Sequence, residues 1–351
     1  MTDTDLGRGL LEYLRVELGE PSLEFSESPA RISGGFDTQI FSFRLRRAPQ
    51  AYAGPLVLRV LGAQDPGARA LREAVTQNTV ASLGYPAPRS LLATADRSVL
   101  GGAFLIMERL PGEPLTKSGL FTVRRILLDM QWRLHALDSE ALLQALARAD
   151  RVSVSTGGPA LGWETMTIDG HLARLEQRVA GGGLAGLSAA SQWLRAHRPP
   201  EPTRRVICHG DFHPQNILVS GGVATGVIDW PNTIVADPAY DVASTKTILG
   251  VTPVAVLGLP VALRWIVAAV LPGMVKRYVR DYRQRRALDP TALAYYEALC
   301  CMRQLVRTAE NRLRAQPGAL NPLDASSFGE AMAARFAAIT NVAPTLPPIK
   351  T

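Results

Sequence analysis

The stretch that most constrains this 351-residue chain is His209-Gly210-Asp211-Phe212-His213-Pro214-Gln215-Asn216, followed thirteen residues later by Asp229. A segment so rich in polar residues and turn formers reads as a loop. Short apolar runs frame it, and Arg205–Cys208, Ile217–Val219 and Val227–Ile228 are expected to be strands. Asp211, Asn216 and Asp229 together supply oxygen atoms of the kind a hard cation such as magnesium prefers. Phosphoryl transfer asks a protein for little more: phosphates and metal held still, and a hydroxyl aimed in line. Asp211 and Asn216 stand five apart, an interval that can point a carboxylate at an acceptor and a side-chain carbonyl back at a metal. Asp229 follows Gly226-Val227-Ile228, so it can grip the metal from the end of a strand. His209 is expected to brace the loop by hydrogen bonds rather than act as a base.

Upstream of this loop the chain is rich in strand signals. Leu6, Leu10, Leu11, Leu14 and Leu18 have helical spacing. Arg31 to Leu45 reads as strand, glycine turn, strand, and Pro55–Leu61 and Ala103–Met107 are further strands. A helix is expected over 68–83, ended by Gly84-Tyr85-Pro86. Glu108 to Pro114 holds two prolines and a glycine and reads as a hinge. Helical patterns dominate afterwards, over 123–137, 171–179, 188–196 and most of the chain to 338. Residues 342–351 are expected to be a loose tail. The expected organisation is a strand-rich N-lobe over 1–107, a hinge at 108–114 and a helical C-lobe over 115–351. Within the C-lobe the catalytic loop falls in 205–241 and substrate-binding helices in about 245–340.

Composition narrows the partners. The net charge is +7, but lysine occurs only at 117, 246, 276 and 350, so the basicity is almost all arginine. No stripe of arginine interleaved with aromatics exists, so a nucleic acid partner is not expected. Cys208, Cys300 and Cys301 form no CxxC pair, which argues against a zinc site or disulfide framework and suits a cytoplasmic compartment. The N-terminus lacks the features of a secretion signal. The apolar stretch 251–271 contains Pro253, Pro260 and Arg264, which do not suit a membrane span. It reads as a buried or pocket-lining helix, with contact between 251–286 and a membrane surface as the alternative.

The joint pattern His209-Gly-Asp-Phe-His-Pro-Gln-Asn216, Ile228-Asp-Trp230 and Asp237-Pro-Ala-Tyr-Asp241 resembles the aminoglycoside phosphotransferase family, which is related to choline, macrolide and fructosamine kinases. It is especially similar to the broad bacterial phosphotransferase branch and to the kinase-like domains fused to some acyl-CoA dehydrogenases. The resemblance implies an α+β, bilobal, protein-kinase-like fold, with a small antiparallel-sheet N-lobe and a large, mostly helical C-lobe. It implies ATP and magnesium, with GTP not excluded, and transfer of the γ-phosphate to a hydroxyl of a small molecule. It implies Asp211 as catalytic base, Asn216 and Asp229 as metal ligands, and Asp241 as a brace of the core. Ser33-Gly34-Gly35 is the expected phosphate turn, since glycines let backbone N–H groups come close. Kinases place a lysine on the third strand. Here Arg59 is the only basic residue at that place, and it is expected to clamp phosphates and pair with Glu73. Backbone groups of the hinge, at Glu108 and Leu110, are expected to meet the base. His135 is expected to be a helix-packing histidine.

The acceptor has no such signature. Between Asp241 and Asp289 the only acidic residue is Asp281, in a region of Trp265, Tyr278, Tyr282 and many arginines. A polycationic sugar would want carboxylates, so an apolar or anionic hydroxyl compound is expected. A macrolide or other antibiotic kinase is the nearest alternative. A nucleotide-binding scaffold without catalysis is the alternative of another class, and the missing lysine motivates it.

Overall fold

A computed structural model describes residues 2–32, 38–62, 65, 67–251, 261–314, 324 and 326–349. The chain opens with α1 (Asp3–Glu17), β1 (Glu24–Arg31), β2 (Thr38–Arg46), β3 (Leu56–Leu61), α2 (Ala68–Ser82), β4 (Ser90–Thr94), β5 (Phe104–Glu108) and β6 (Glu113–Pro114). It continues with α3 (Leu120–Leu134), α4 (Ser139–Ser155), α5 (Ile168–Gly181) and α6 (Ser188–Ala196). Short strands follow, β7 (Val206–Cys208), β8 (Ile217–Ser220), β9 (Val223–Val227) and β10 (Ile234–Ala236). The rest is helical: α7 (Pro238–Val251), α8 (Val261–Arg285), α9 (Pro290–Arg314) and α10 (Phe328–Thr340). Two compact units result. The first comprises Met1–Lys117, Leu137–Trp163 and Gln215–Pro231, and the second comprises Ser118–Ala136, Glu164–Pro214 and Asn232–Thr351.

The first unit is built on a five-stranded sheet of order β1-β2-β3-β5-β4, with every neighbouring pair antiparallel. β1 begins upstream of the strand expected at Arg31. Its polar residues and Pro29 hide it from a pattern search, and its place at the sheet edge tolerates a residue without an N–H. α1 buries Leu6, Leu10 and Leu14 against Phe41, Phe43, Leu56, Leu58 and Phe104. Strand periodicity turns Leu56, Leu58 and Val60 toward that core and leaves Val57, Arg59 and Leu61 on the other face, with Leu105 and Ala70 of α2. α4 and β4 carry no expectation from the sequence. α4 has a local signal all the same, since the Asp138 carboxylate accepts from Glu140 N at 2.9 Å and caps it. A smaller sheet of order β6-β8-β9 completes this unit. Its β8–β9 turn is Gly221-Gly222, with φ of +57° and +78°, the paired left-handed geometry of a two-residue hairpin.

The second unit is mostly helical. β7 pairs antiparallel with β10, and α9 packs against both α7 and α10. Cys208, Cys300 and Cys301 are buried free thiols. Two expectations need correction here. The tail after α10 has no regular structure, yet it is tied down: Thr345 N donates to Gly186 O at 3.0 Å and Arg312 donates to Pro347 O at 3.3 Å. The described part of 251–271 is not a buried helix. Helical periodicity gives α8 an inner face of Met274, Val275, Tyr278 and Tyr282, while Trp265 and Ile266 are 76% and 57% exposed. Among the described residues, no helix is long and apolar enough to cross a membrane.

Candidate active site

In the first unit, the β8–β9 hairpin brings together two residues thirteen apart. Ile217 is in register with Val227, and Ile228 N donates to Asn216 O at 2.9 Å. Asn216 and Asp229 therefore sit at adjacent strand ends. Asp229 adopts φ +71°, a left-handed conformation that aspartate tolerates better than most residues. The next residue anchors the bend. Trp230 is buried, its Nε1 donates to Val227 O at 2.9 Å, and its ring meets Tyr85 edge-on at 5.8 Å.

Arg59 connects this hairpin to the large sheet. Its Nη1 donates to Glu73 Oε1 of α2 at 2.8 Å and to Asp229 Oδ1 at 2.8 Å. Gln77 Nε2 also donates to Glu73 Oε1, at 3.2 Å. Burial works against the Arg59 charge, but the carboxylates of Glu73 and Asp229 outweigh it and hold the guanidinium firmly protonated. Burial pushes the Glu73 carboxyl above its ordinary range, and Arg59 only partly offsets that. Buried Arg59 Nε and Glu73 Oε2 have no hydrogen-bond partner among the described residues, so this cluster retains unused bonding capacity. Glu108 closes β5, its N donating to Arg89 O at 3.0 Å, and Leu110 packs against Gly226 of β9. Ser33, Gly34 and Gly35 lie outside the described residues.

In the second unit, the sequence Asp237-Pro238 starts α7. The Asp237 carboxylate accepts from Ala239 N at 2.8 Å, and proline suits the first helical position. One turn on, fully buried Asp241 takes three donors. Gly210 N reaches Oδ1 at 2.8 Å, His209 N reaches Oδ2 at 3.2 Å, and His135 Nε2 lies 3.2 Å from Oδ2. The other His135 nitrogen lies 2.6 Å from the Tyr282 hydroxyl. Burial alone would raise the Asp241 carboxyl; His135, then His209 and the Gly210 N–H, together outweigh it and hold the carboxyl below its ordinary range. Gly210 has φ +78°, and a Cβ there would stand 2.2 Å from Asn232 O, so the position admits only glycine.

Asp211 follows on this clamped loop. Its N donates to His209 Nδ1 at 3.3 Å, and its carboxylate lies 3.6 Å from His213 Nε2. Burial alone would raise Asp211. His213, then His209 and Arg303, outweigh it and keep the carboxyl well below the usual carboxylate range. The loop backbone is held beyond Asp241 as well: Arg303 Nη1 donates to Gly210 O at 3.0 Å and Thr245 Oγ1 to Phe212 O at 2.7 Å.

Three of these residues escaped the sequence reading. His135, taken as a packing residue, joins Asp241 to Tyr282. The Leu134-His135-Ala136-Leu137-Asp138 segment was a usable signal. Arg303 and Thr245 sit in ordinary helical sequence and carry no local mark.

Residues 30–296 match the phosphotransferase enzyme family, and the chain belongs to it. Acyl-CoA dehydrogenase family member 11 of Gallus gallus is 27% identical over 242 residues, which cover 62% of this chain and 28% of that protein. The chain thus spans little more than a quarter of that relative's length. Aminoglycoside 3'-phosphotransferase of Streptomyces fradiae is 28% identical over 227 residues, covering 62% of this chain and 73% of that one. A solved ternary complex of a thermostable mutant of the aminoglycoside phosphotransferase APH(4)-Ia with ADP and hygromycin B aligns over 95% of this chain and 98% of that chain, with TM-score 0.56 at 17% identity. The fold is the α+β, kinase-like fold of these enzymes, as the sequence led one to expect.

Proposed function

We propose that the chain transfers the γ-phosphoryl group of ATP, with magnesium, to a hydroxyl of a small molecule that is apolar or anionic rather than polycationic. The observation that carries this is the pair Asn216 and Asp229, joined at adjacent strand ends with Arg59 bonded to Asp229. An amide oxygen and a carboxylate are the hard donors magnesium takes, so the residues fit the metal. When bound, magnesium neutralises charge on the transferring phosphate.

The chain's own residues do the rest. Arg59, kept charged by two carboxylates, offers its guanidinium to phosphate oxygens, and Glu73 fixes where it points. Backbone groups near Glu108 and Leu110 receive the nucleotide base. The relative whose solved complex holds ADP supports a nucleotide here. Asp211 stays ionised, so it accepts the hydrogen bond that aims the acceptor hydroxyl. It takes the proton as the new oxygen–phosphorus bond forms and the bond from the γ-phosphorus to the β–γ bridging oxygen breaks, releasing ADP. His209 and Asp241 hold the backbone of that loop still.

The test is a panel of hydroxyl compounds incubated with ATP and magnesium and screened by mass spectrometry for a phosphate mass gain. Asp211→Asn should lower kcat by about 10²–10⁴-fold while ADP still raises the melting temperature. Nucleotide binding with no product from any acceptor, or an Asp211→Asn variant as fast as the parent, refutes the proposal.

A further inference from the structure

The second unit holds a cleft of about 480 Å³ walled by Lys246 of α7 and by Val275, Lys276, Val279, Arg280 and Arg283 of α8. Its size falls within the range of roughly 300–1,000 Å³ typical of small-molecule sites. Positions 276, 280 and 283 are four and three residues apart, so α8 presents them along one face. Val275 is buried and Val279 half-buried, which gives the cleft an apolar floor. None of its lining residues is acidic. Lys246 is paired with Glu297, and Arg280 with Asp281 at 2.9 Å. Lys276 and Arg283 are exposed and make no ion pair among the described residues.

The cleft is tied to the loop that carries Asp211. Lys246 directly follows Thr245, whose hydroxyl donates to Phe212 O at 2.7 Å, and Phe212 directly follows Asp211. Lys246 also lies on the helix whose first turn holds Asp241, about 7.5 Å farther along the axis at 1.5 Å per residue. Lys276 and Arg283, which no carboxylate offsets among the described residues, repel one another beside the cavity, and an anion there relieves that repulsion. A polycationic ligand would meet the same repulsion, which selects against it.

We propose that this cleft holds a carboxylate or phosphate ester of the acceptor molecule, with an apolar segment of that molecule against Val275 and Val279. The assignment rests on the phosphoryl-transfer reading above and names the chemistry of its acceptor.

Calorimetric titration of the full chain with three matched alcohols tests it: ω-hydroxydecanoate, its methyl ester and ω-aminodecanol. The carboxylate should bind at least about tenfold tighter than the ester, a gap that one well-placed charge contact can supply, and the amine weakest of the three. Lys276→Ala with Arg283→Ala should erase the preference for the carboxylate. Arg277→Ala removes an exposed charge from the same helix outside the cleft and should leave the preference intact. Equal binding of carboxylate and ester, or a preference untouched in the double variant, overturns the assignment. So does binding to phosphatidylglycerol vesicles that the double variant abolishes when the free carboxylate shows no preference, since α8 would then serve a membrane surface. Binding is read without turnover. Absence of any phosphorylated product would therefore sink the phosphoryl-transfer reading alone, and loss of the carboxylate preference would sink the cleft even while the ester is phosphorylated.

Discussion

The charged clusters of the two units are built on opposite terms. In the first unit, Arg59 faces Glu73 and Asp229, yet Arg59 Nε and Glu73 Oε2 are left without partners. In the second, Asp241 takes donors from His209, Gly210 and His135, and His135 is itself held by Tyr282. A buried cluster with spare donors and acceptors suits a group that binds something else. A saturated one fixes a backbone. The difference separates binding from bracing before any ligand is considered.

The sharpest way to break this contrast is Asp241→Ala. It strips the acceptor from three donors in a fully buried place, and should cost about 3–5 kcal/mol in urea unfolding, as losing one partner of a buried charged network does. A cost under about 1 kcal/mol would mean that Asp241 does not clamp the loop. Arg59→Met comes next. It leaves Glu73 buried without its cation and should cost about 2–3 kcal/mol, whereas Arg59→Met with Glu73→Met should recover most of that, because an apolar pair of similar volume replaces the ions. Equal losses in single and double variants would show that the two residues are not coupled.

Asp229 tests the backbone at the edge of the first cluster. Its left-handed φ makes Asp229→Ala less stable than Asp229→Gly by about 1 kcal/mol, measured by urea unfolding. Identical stabilities would place the bend elsewhere.

The smallest effects are in pH dependence, and they run in opposite directions. The folded state lowers the Asp241 carboxyl. Its contribution is therefore complete above the unfolded carboxylate range, near pH 4, and is lost as pH falls through the folded value. Asp241→Asn should flatten the acid limb of stability against pH. Glu73 is raised in the folded state. Its contribution is present below the unfolded value and is lost as pH rises through the folded one. Glu73→Gln should flatten stability on the neutral side of about pH 4.5, the ordinary glutamate range. Matching pH profiles for the two variants would erase the contrast between the clusters.

Much of the fold was legible because its signals are local. The leucine spacing of α1, the apolar runs of β3 and β5, and the Gly-Tyr-Pro stop after α2 each sit within one element. β1 was not, since an edge strand keeps polar residues and a proline without penalty. α8 misled because apolar content says nothing about which face is covered. At the site, Asp211, Asn216 and Asp229 could be named from spacing. The pairing of His135 could not, because its partner Asp241 lies 106 residues away.

The sequence by itself determined the set of oxygen-bearing residues, the order of strands before helices, the family, and the presence of arginine instead of lysine on β3. These depend on residue identity and on periods of a few residues, which survive without any knowledge of the rest of the chain. Only the tertiary structure decided that one Arg59 nitrogen serves both Glu73 and Asp229, the latter 170 residues on. It alone decided that Asp241 closes on the loop through the N–H groups of His209 and Gly210, and that α7 and α8 leave a basic cleft beside Thr245. Such contacts follow from how distant elements are placed and which faces they bury, and no local pattern encodes that placement.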